Sequence, residues 1–286
     1  MADEMRGKTV LVTGATGGIG LVTARELASM GATVVVVGRT QAKGEAAARE
    51  IQAATGSASI AALAADLTSQ AQVRRLAEDV RARYPRLDVL INNAGAAFTS
   101  RQLTVDGIEA TFALNHLAPF LLTNLLLDTL KASAPSRVIT VASQAHAGQS
   151  LDFTDLQYEK RPYKTFQVYG ASKLANVLFT YGLARRLDGS GVTANCLHPG
   201  FVASRFGMNN GGLWIPIFTM LRPFQISVER GAETSVYLAS SPGVASVSGD
   251  YFDKKKPVAS SPQSYDEAAQ RRLWELSEQL TGLAMR

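Results

Sequence analysis

Four consecutive valines, Val34 to Val37, stand between Thr33 and Gly38. A run that is β-branched and apolar at every position has no face to turn to water. It suits a strand covered by helices on both sides, and therefore a parallel sheet. The flanking segments carry the matching pattern. Thr9 to Thr13 is a second short apolar run; after it Ile19, Val22, Leu27 and Met30 recur at helical spacing, and Gly31 closes that helix. The alternation continues with a helix near 42–54, a strand near 60–65, and a helix holding Val73, Leu76, Ala77, Val80 and Tyr84 in register. A strand at 88–91, a long helix within 105–131, a strand at 137–142, a helix from about 168 to 187 and a strand at 192–197 follow. Six such steps without linker or repeat predict one α/β domain over residues 1–286, a doubly wound parallel sheet. A last strand near Tyr251 makes it seven-stranded. Residues 247–286 form a C-terminal extension, with a helix from about Ser264 to Leu280 that packs on the sheet edge or on a partner.

Composition narrows the function classes. The 29 Lys and Arg against 24 Asp and Glu give a net charge of +5, but spread along the chain rather than gathered into a patch. Nucleic-acid binding is therefore not expected. Lys254, Lys255 and Lys256 form the one dense group and read as a solvated loop. The polar start, Met1 to Lys8, has no secretory pattern, and no apolar stretch reaches the roughly 18 residues of a spanning helix. A cytoplasmic protein without a transmembrane segment is expected. The single cysteine, Cys196, lies in a buried-strand pattern and reads as core.

In a doubly wound sheet ligands bind beyond the carboxyl ends of the strands. Gly14 to Gly20, Arg39, Asp66, Asn93, Ser143 and Pro199-Gly200 all fall there. The turn Thr13-Gly14-Ala15-Thr16-Gly17-Gly18-Ile19-Gly20 lets backbone approach a pyrophosphate, with the following helix N-terminus offering N–H groups and positive dipole. At the end of the valine strand, where a carboxylate would bind a ribose 2′-hydroxyl, stand Gly38 and Arg39. A guanidinium there pairs with a 2′-phosphate, so NADP(H) is predicted over NAD(H), unless Arg39 is only a solvated strand end. Asp66 either accepts from the adenine amine or caps the helix that Ser69 could also begin.

Tyr169 and Lys173 sit at i and i+4 of a predicted helix, hence one turn apart on one face. A neighbouring ammonium favours phenolate and draws a phenol toward useful acid–base chemistry at neutral pH. Ser143, ending a buried strand, can polarise a carbonyl, and Asn115 interrupts an otherwise apolar helix. His116, His146 and His198 share no ligand spacing, so no metal site is expected and each should serve as a hydrogen-bonded structural residue.

Together these residues resemble the short-chain dehydrogenase/reductase family over nearly the whole chain. Thr13-Gly14-x-x-x-Gly18-Ile19-Gly20 resembles its cofactor turn, Asp66-Leu67 its adenine-side pair, and Asn92-Asn93-Ala94-Gly95 its N-N-A-G segment. Asn115, Ser143, Tyr169 and Lys173 match its tetrad; Pro199-Gly200 matches the turn beside the nicotinamide. The stretches Ser172-Lys-Leu-Ala-Asn-Val-Leu-Phe, Leu183-Ala-Arg-Arg-Leu, Leu197-His-Pro-Gly and Arg272-Leu-Trp-Glu-Leu-Ser resemble the retinol dehydrogenase-like branch, and a soluble member, without the N-terminal anchor of membrane-bound ones, is the expectation.

The resemblance implies a Rossmann fold and an NADP(H)-dependent hydride transfer to or from a carbonyl or carbinol carbon. Tyr169 would move the proton, Lys173 lower its pKa and hold the nicotinamide ribose, and Ser143 bind the substrate oxygen. Asn115 would break its helix locally and position a water leading from Lys173 to solvent. Gly14, Thr16, Gly18, Ile19, Gly20, Arg39, Asp66, Leu67, Asn93, Ala94, Gly95, Pro199, Gly200 and Val202 would line the cofactor with Tyr169 and Lys173. A homodimer or homotetramer through the helices bearing Asn115 and Tyr169 is also implied. A non-catalytic NADP-sensing regulator is the alternative, and a scaffold protein would need none of these residues.

The stretch 144–168 carries Phe153, Tyr158, Tyr163 and Phe166 and should border the pocket. Residues 201–226 hold Phe201, Phe206, Trp214, Phe218 and Phe224, with Gly207, Gly211 and Gly212 as joints. They read as a lid over an apolar substrate, a subunit interface or a membrane-surface contact.

Overall fold

The computed structural model describes residues 4–202 and 225–283. Most of the 201–226 segment expected to form a lid therefore lies outside the described residues. The chain alternates β1 (Thr9–Thr13), α1 (Gly18–Ser29), β2 (Thr33–Gly38), α2 (Gln41–Thr55), β3 (Ile60–Ala64), α3 (Gln70–Arg83) and β4 (Val89–Asn92). Short helices α4 (Ala110–Phe112), α5 (Ala118–Leu125) and α6 (Leu127–Ala132) lead to β5 (Ser136–Val141), α7 (Thr165–Arg186) and β6 (Val192–Leu197). Then come α8 (Val228–Ser240), β7 (Tyr251–Asp253), β8 (Lys256–Pro257) and α9 (Glu267–Thr281).

The strand order is β3-β2-β1-β4-β5-β6-β7-β8, parallel except for β8. The order reverses between β1 and β4, so the glycine turn after β1 opens at the crevice where such sheets take ligands. The valines are fully covered, as their composition requires. Val34 and Val36 pack against Leu27, Ile51 and Val10 on one face, while Val35 and Val37 join Leu11, Leu63 and Leu90 on the other.

Three expectations need correction. Among the described residues the sheet has eight strands, not seven: Lys254 and Lys255 adopt left-handed φ of 47° and 65°, turning the chain back so that Lys256 and Pro257 pair with β7. That backbone usually calls for Asn or Gly, so the lysine run gave no turn signal. The long helix within 105–131 is three helices, with a π-turn, Ala113–Leu117, between α4 and α5, at the local break the resemblance implied for Asn115. Finally, α8 had no counterpart in the sequence reading. Its signals were Ser227, whose side chain accepts from Arg230 N–H, and Glu229 in the first turn, both favourable at a helix start.

The C-terminal extension packs on its own chain. Trp274 of α9 stacks on Phe179 of α7 at 5.8 Å and meets Phe120 of α5 edge-on at 5.0 Å, with the Arg186 guanidinium 3.9 Å from its ring. At the far end, Gln70 and Arg74 of α3 donate to the carbonyls of Leu280 and Thr281, satisfying groups a helix terminus leaves open. α9 thus occupies the flank of the helices through which pairing was expected.

Candidate active site

The first site element is the turn between β1 and α1. Gly14 and Gly18 have φ of 65° and 54°, a region that disfavours side chains. A Cβ at Gly14 would meet Ala94 Cα at 2.8 Å, and one at Gly20 would meet Asn93 Nδ2 at 2.4 Å and Gly14 O at 2.5 Å. Helix α1 starts with no side-chain cap and no acidic residue in its first turn. Its N-terminal N–H groups and dipole are left for an anion.

Asn93, expected to touch the cofactor, braces this turn by donating to the carbonyls of Thr13 and Gly14 at 2.8 and 3.2 Å. Thr13, given no role of its own by the sequence, accepts from the N–H groups of Asn93 and Ala94 and donates to Ile91 O. A threonine ending the first strand, next to the glycine turn, was the available signal. Arg39 is exposed just after β2, where a Cβ on Gly38 would strike Thr16 Cγ2 at 2.5 Å. Asp66 follows β3, the next strand, and its carboxylate accepts from Thr68 N–H and hydroxyl. It does not cap α3, whose Gln70 N–H donates to Asp106 instead. Leu67 is buried beside it. On the opposite side, Val202 bridges Ile226, and a Cβ on Gly231 of α8 would meet Val202 Cγ2 at 2.7 Å and Ile19 Cγ1 at 3.3 Å. Gly200, with φ of 84°, follows Pro199 and donates its N–H to His198 Nδ1.

The second element joins β4, the π-turn, β5 and α7. Asn115 lies inside the π-turn, where Ala118 N–H reaches Ala113 O five residues back. Such wide turns are rare and concentrate at functional sites. The Asn115 amide exchanges hydrogen bonds of 2.9 Å with both backbone groups of Ala96 and donates to Ser172 Oγ. Ser172, also missed, donates in turn to Tyr169 O. A Cβ on Gly95 would lie 3.1 Å from Asn115 Oδ1 and 3.2 Å from Lys173 Nζ, so glycine is what allows the three groups to converge. Lys173 is buried, donates to Val141 O at 2.8 Å, and holds its Nζ 5.7 Å from the centre of the Tyr169 ring. The Tyr169 side chain is hydrogen-bonded with that of Ser143.

The electrostatics depart from the expectation for this pair. Burial pushes the Tyr169 phenol up to about 12, with the Ser143 hydrogen bond pulling the other way. Burial also draws Lys173 down to about 8. Desolvation disfavours the charged form of each, so in this state Lys173 does not lower the phenol as spacing alone suggested. At neutral pH the tyrosine carries its proton.

The histidines are hydrogen-bonded structural groups, as expected. His116 pairs with Ser277 of α9 at 2.8 Å and burial lowers it to about 3; His198 lies 3.3 Å from Asp253. Cys196 is buried in β6. Tyr163 ties the 144–168 stretch to the buried Glu109, at 3.1 Å, and to Thr111, at 2.9 Å.

A doubly wound sheet, a glycine turn at its crevice and a Tyr–Lys–Ser–Asn cluster beside it define a nicotinamide-dependent oxidoreductase of Rossmann fold. The chain belongs to the short chain dehydrogenase family, which it matches over residues 8–211. Within it the chain is retinol dehydrogenase-like. Retinol dehydrogenase 13 of Homo sapiens is 46% identical, over 97% of this chain and 85% of that protein. Retinol dehydrogenase 14 of Homo sapiens is 44% identical, over 98% and 88%. Among solved structures, a putative uncharacterized protein from Mycobacterium paratuberculosis aligns with a TM-score of 0.79 at 36% identity, covering 97% and 94% of the two chains. The Pseudomonas aeruginosa RhlG/NADP active-site complex aligns with 0.72 at 28% identity, covering 88% and 96%. No helix among the described residues is long and apolar enough to cross a membrane.

Proposed function

We propose that the protein is an NADP(H)-dependent carbonyl reductase or alcohol dehydrogenase acting on an apolar aldehyde, ketone or alcohol. The observation that carries this is the half-buried Tyr169 hydrogen-bonded with Ser143, with Lys173 one turn away and its Nζ 5.7 Å from the tyrosine ring centre.

The glycine cradle, where added Cβ atoms would collide with backbone, fits a dinucleotide pyrophosphate held by Gly14, Thr16, Gly18, Ile19 and Gly20. Arg39 would pair with a 2′-phosphate, and Asp66 and Leu67 would border the adenine. Asn93, Ala94, Gly95, Pro199, Gly200 and Val202 would flank the ribose and nicotinamide, with Tyr169 and Lys173 binding the ribose hydroxyls. The bound nicotinamide supplies or accepts the hydride. Tyr169 and Ser143 bind the substrate oxygen, and as charge grows there Tyr169 gives up its proton. The Lys173 ammonium holds the resulting phenolate, and Asn115 keeps the 94–96 loop against α7 so that this geometry persists. A water positioned by Asn115 returns the proton from solvent through Lys173.

The apolar substrate class is supported by Phe166, one turn before Tyr169 and 57% exposed, and Phe201, next to Gly200 and 45% exposed. The test is NADPH oxidation, followed at the nicotinamide absorbance, with butanal, decanal and all-trans-retinal. Each buried methylene is worth about 0.8 kcal/mol, so kcat/KM should rise at least about tenfold from butanal to decanal. Equal values would remove the apolar pocket. A hydrogen bond to a charged group contributes about 1.5–3 kcal/mol, so Arg39→Ser should raise the KM for NADPH roughly 10–100-fold and leave that for NADH unchanged. An equal change in both would reduce Arg39 to a solvated strand end.

A further inference from the structure

The turn that carries Ser143 is held by more than its own backbone. Ser143 begins a short 3₁₀ helix, Gln144–His146, and its Oγ accepts from Ala145 N–H at 3.2 Å. Helix α7 presses on this turn from one side: a Cβ on Gly170, the residue after Tyr169, would meet Ala145 O at 2.5 Å. The buried imidazole of His146 engages it from the other. His146 Nδ1 lies 2.7 Å from Ser143 O, and Nε2 lies 3.0 Å from the backbone nitrogen of Ser261, in the C-terminal extension.

The partners determine the tautomer. Ser261 N–H can only donate, so Nε2 must present its lone pair; Ser143 O can only accept, so Nδ1 must carry the proton. One neutral form satisfies both contacts. An imidazolium would set Nε2–H against Ser261 N–H and break the link.

We propose that His146 is a positioning residue that fixes Ser143 against Tyr169 by tethering the serine turn to the C-terminal extension at Ser261, making turnover depend on the seating of residues 260–265. The proposal rests on the role given to Ser143 above. Neighbouring groups favour the neutral imidazole. Tyr251 of β7 packs on it with ring centres 4.9 Å apart and its hydroxyl 3.5 Å from Nδ1. His198 stacks on the other side of Tyr251 and is itself held by Asp253. From α7, Tyr169 bonds Ser143, and Tyr181 bonds Ser260 Oγ at 2.7 Å, seating the residue before Ser261. Burial foremost, with the nearby His198, lowers the basicity of His146, while the bond to Ser143 works against this.

The experiment separates the two contacts. An Asn side chain places its amide near the Nδ1 position and a Gln side chain near the Nε2 position. His146→Phe fills the ring volume and makes neither bond. With NADPH and decanal, His146→Phe should lose about tenfold or more in kcat with KM for NADPH unchanged. His146→Asn, which keeps the Ser143 contact and loses Ser261, and His146→Gln, which does the reverse, should each recover only a small part of that, because the tether needs both ends. Ser261→Pro, placed where φ is −65° and so compatible with proline, deletes only the donor to Nε2. It should move the acid limb of kcat upward in pH, and that limb should vanish in His146→Asn. Independently of turnover, ¹⁵N-histidine NMR of the wild-type chain should show His146 as the neutral Nδ1–H tautomer.

Wild-type kcat in His146→Phe, full recovery by His146→Asn, which lacks the Ser261 contact, or an Nε2–H tautomer would each overturn the proposal. Ser143→Ala, run in parallel, tells the two readings apart. If it retains full turnover the reading of Ser143 itself fails. If it is inactive while His146→Phe is not, only the role of His146 fails.

Discussion

Tyr169→Phe is expected to lower turnover of decanal by about 10²–10⁴-fold, the usual worth of a positioned proton donor. NADPH affinity, read by the quenching or transfer of fluorescence on binding, should fall by no more than about tenfold, the worth of the one ribose hydrogen bond lost, because the glycine turn, Arg39 and Lys173 stay in place. The pH dependence follows from the same groups. Burial keeps the phenol protonated up to about 12, so reduction, which uses the acid form, loses nothing from Tyr169 across the neutral range. Oxidation needs the phenolate and should rise steadily with pH. Lys173, drawn down to about 8, sheds its charge first as pH rises. The alkaline decline of reduction therefore belongs to the lysine and should begin near pH 8. Near wild-type turnover in the Phe variant would dismiss Tyr169 as the proton donor.

Trp274→Ala is expected to cost about 3–5 kcal/mol, the range for truncating a buried Trp. For a chain of this size that corresponds to a fall in Tm on the order of 10 °C, read by calorimetry or circular dichroism. Trp274 is 8% exposed and touches Phe120 of α5 and Phe179 and Arg186 of α7, the helix that carries Tyr169 and Lys173. Its loss leaves a cavity and weakens the seat of α9, whose remaining attachments include Leu273 in the core, the His116–Ser277 bond and the bonds from Gln70 and Arg74 to its last carbonyls. Because α9 covers the flank of α5 and α7, its release would bare apolar surface, and self-association on sizing columns should accompany the lower Tm. An unchanged Tm would show that Leu273, the His116–Ser277 bond and the helix ends hold α9 without Trp274.

The order of strands and helices was legible because it is written in local periodicity. Val34 to Val37 demand cover on both faces wherever they sit, and a glycine turn between an apolar run and an amphipathic helix has few other uses. Tyr169 and Lys173 were legible for the same reason, since i and i+4 share a helix face in any helix. The tetrad and the cofactor-side residues became meaningful as a set through resemblance.

Other features depended on contacts between residues far apart in the chain. Thr13 clamps the loop after β4, Ser172 receives Asn115, and His146 meets Ser261; none of these pairs has a spacing that a local pattern could reveal. The break at Asn115 was implied by resemblance, though not its π-turn form, and the eighth strand depends on two lysines accepting a backbone they do not favour. The direction of the Tyr169 shift depended on burial, which a spacing argument cannot measure: an ammonium one turn away favours phenolate, but desolvation outweighs it. Nor could periodicity say where the apolar face of α9 would go. It identified an amphipathic helix, and only folding set that helix on α5 and α7 of its own chain, because apolar burial is non-directional and takes the nearest surface whose shape admits Trp274.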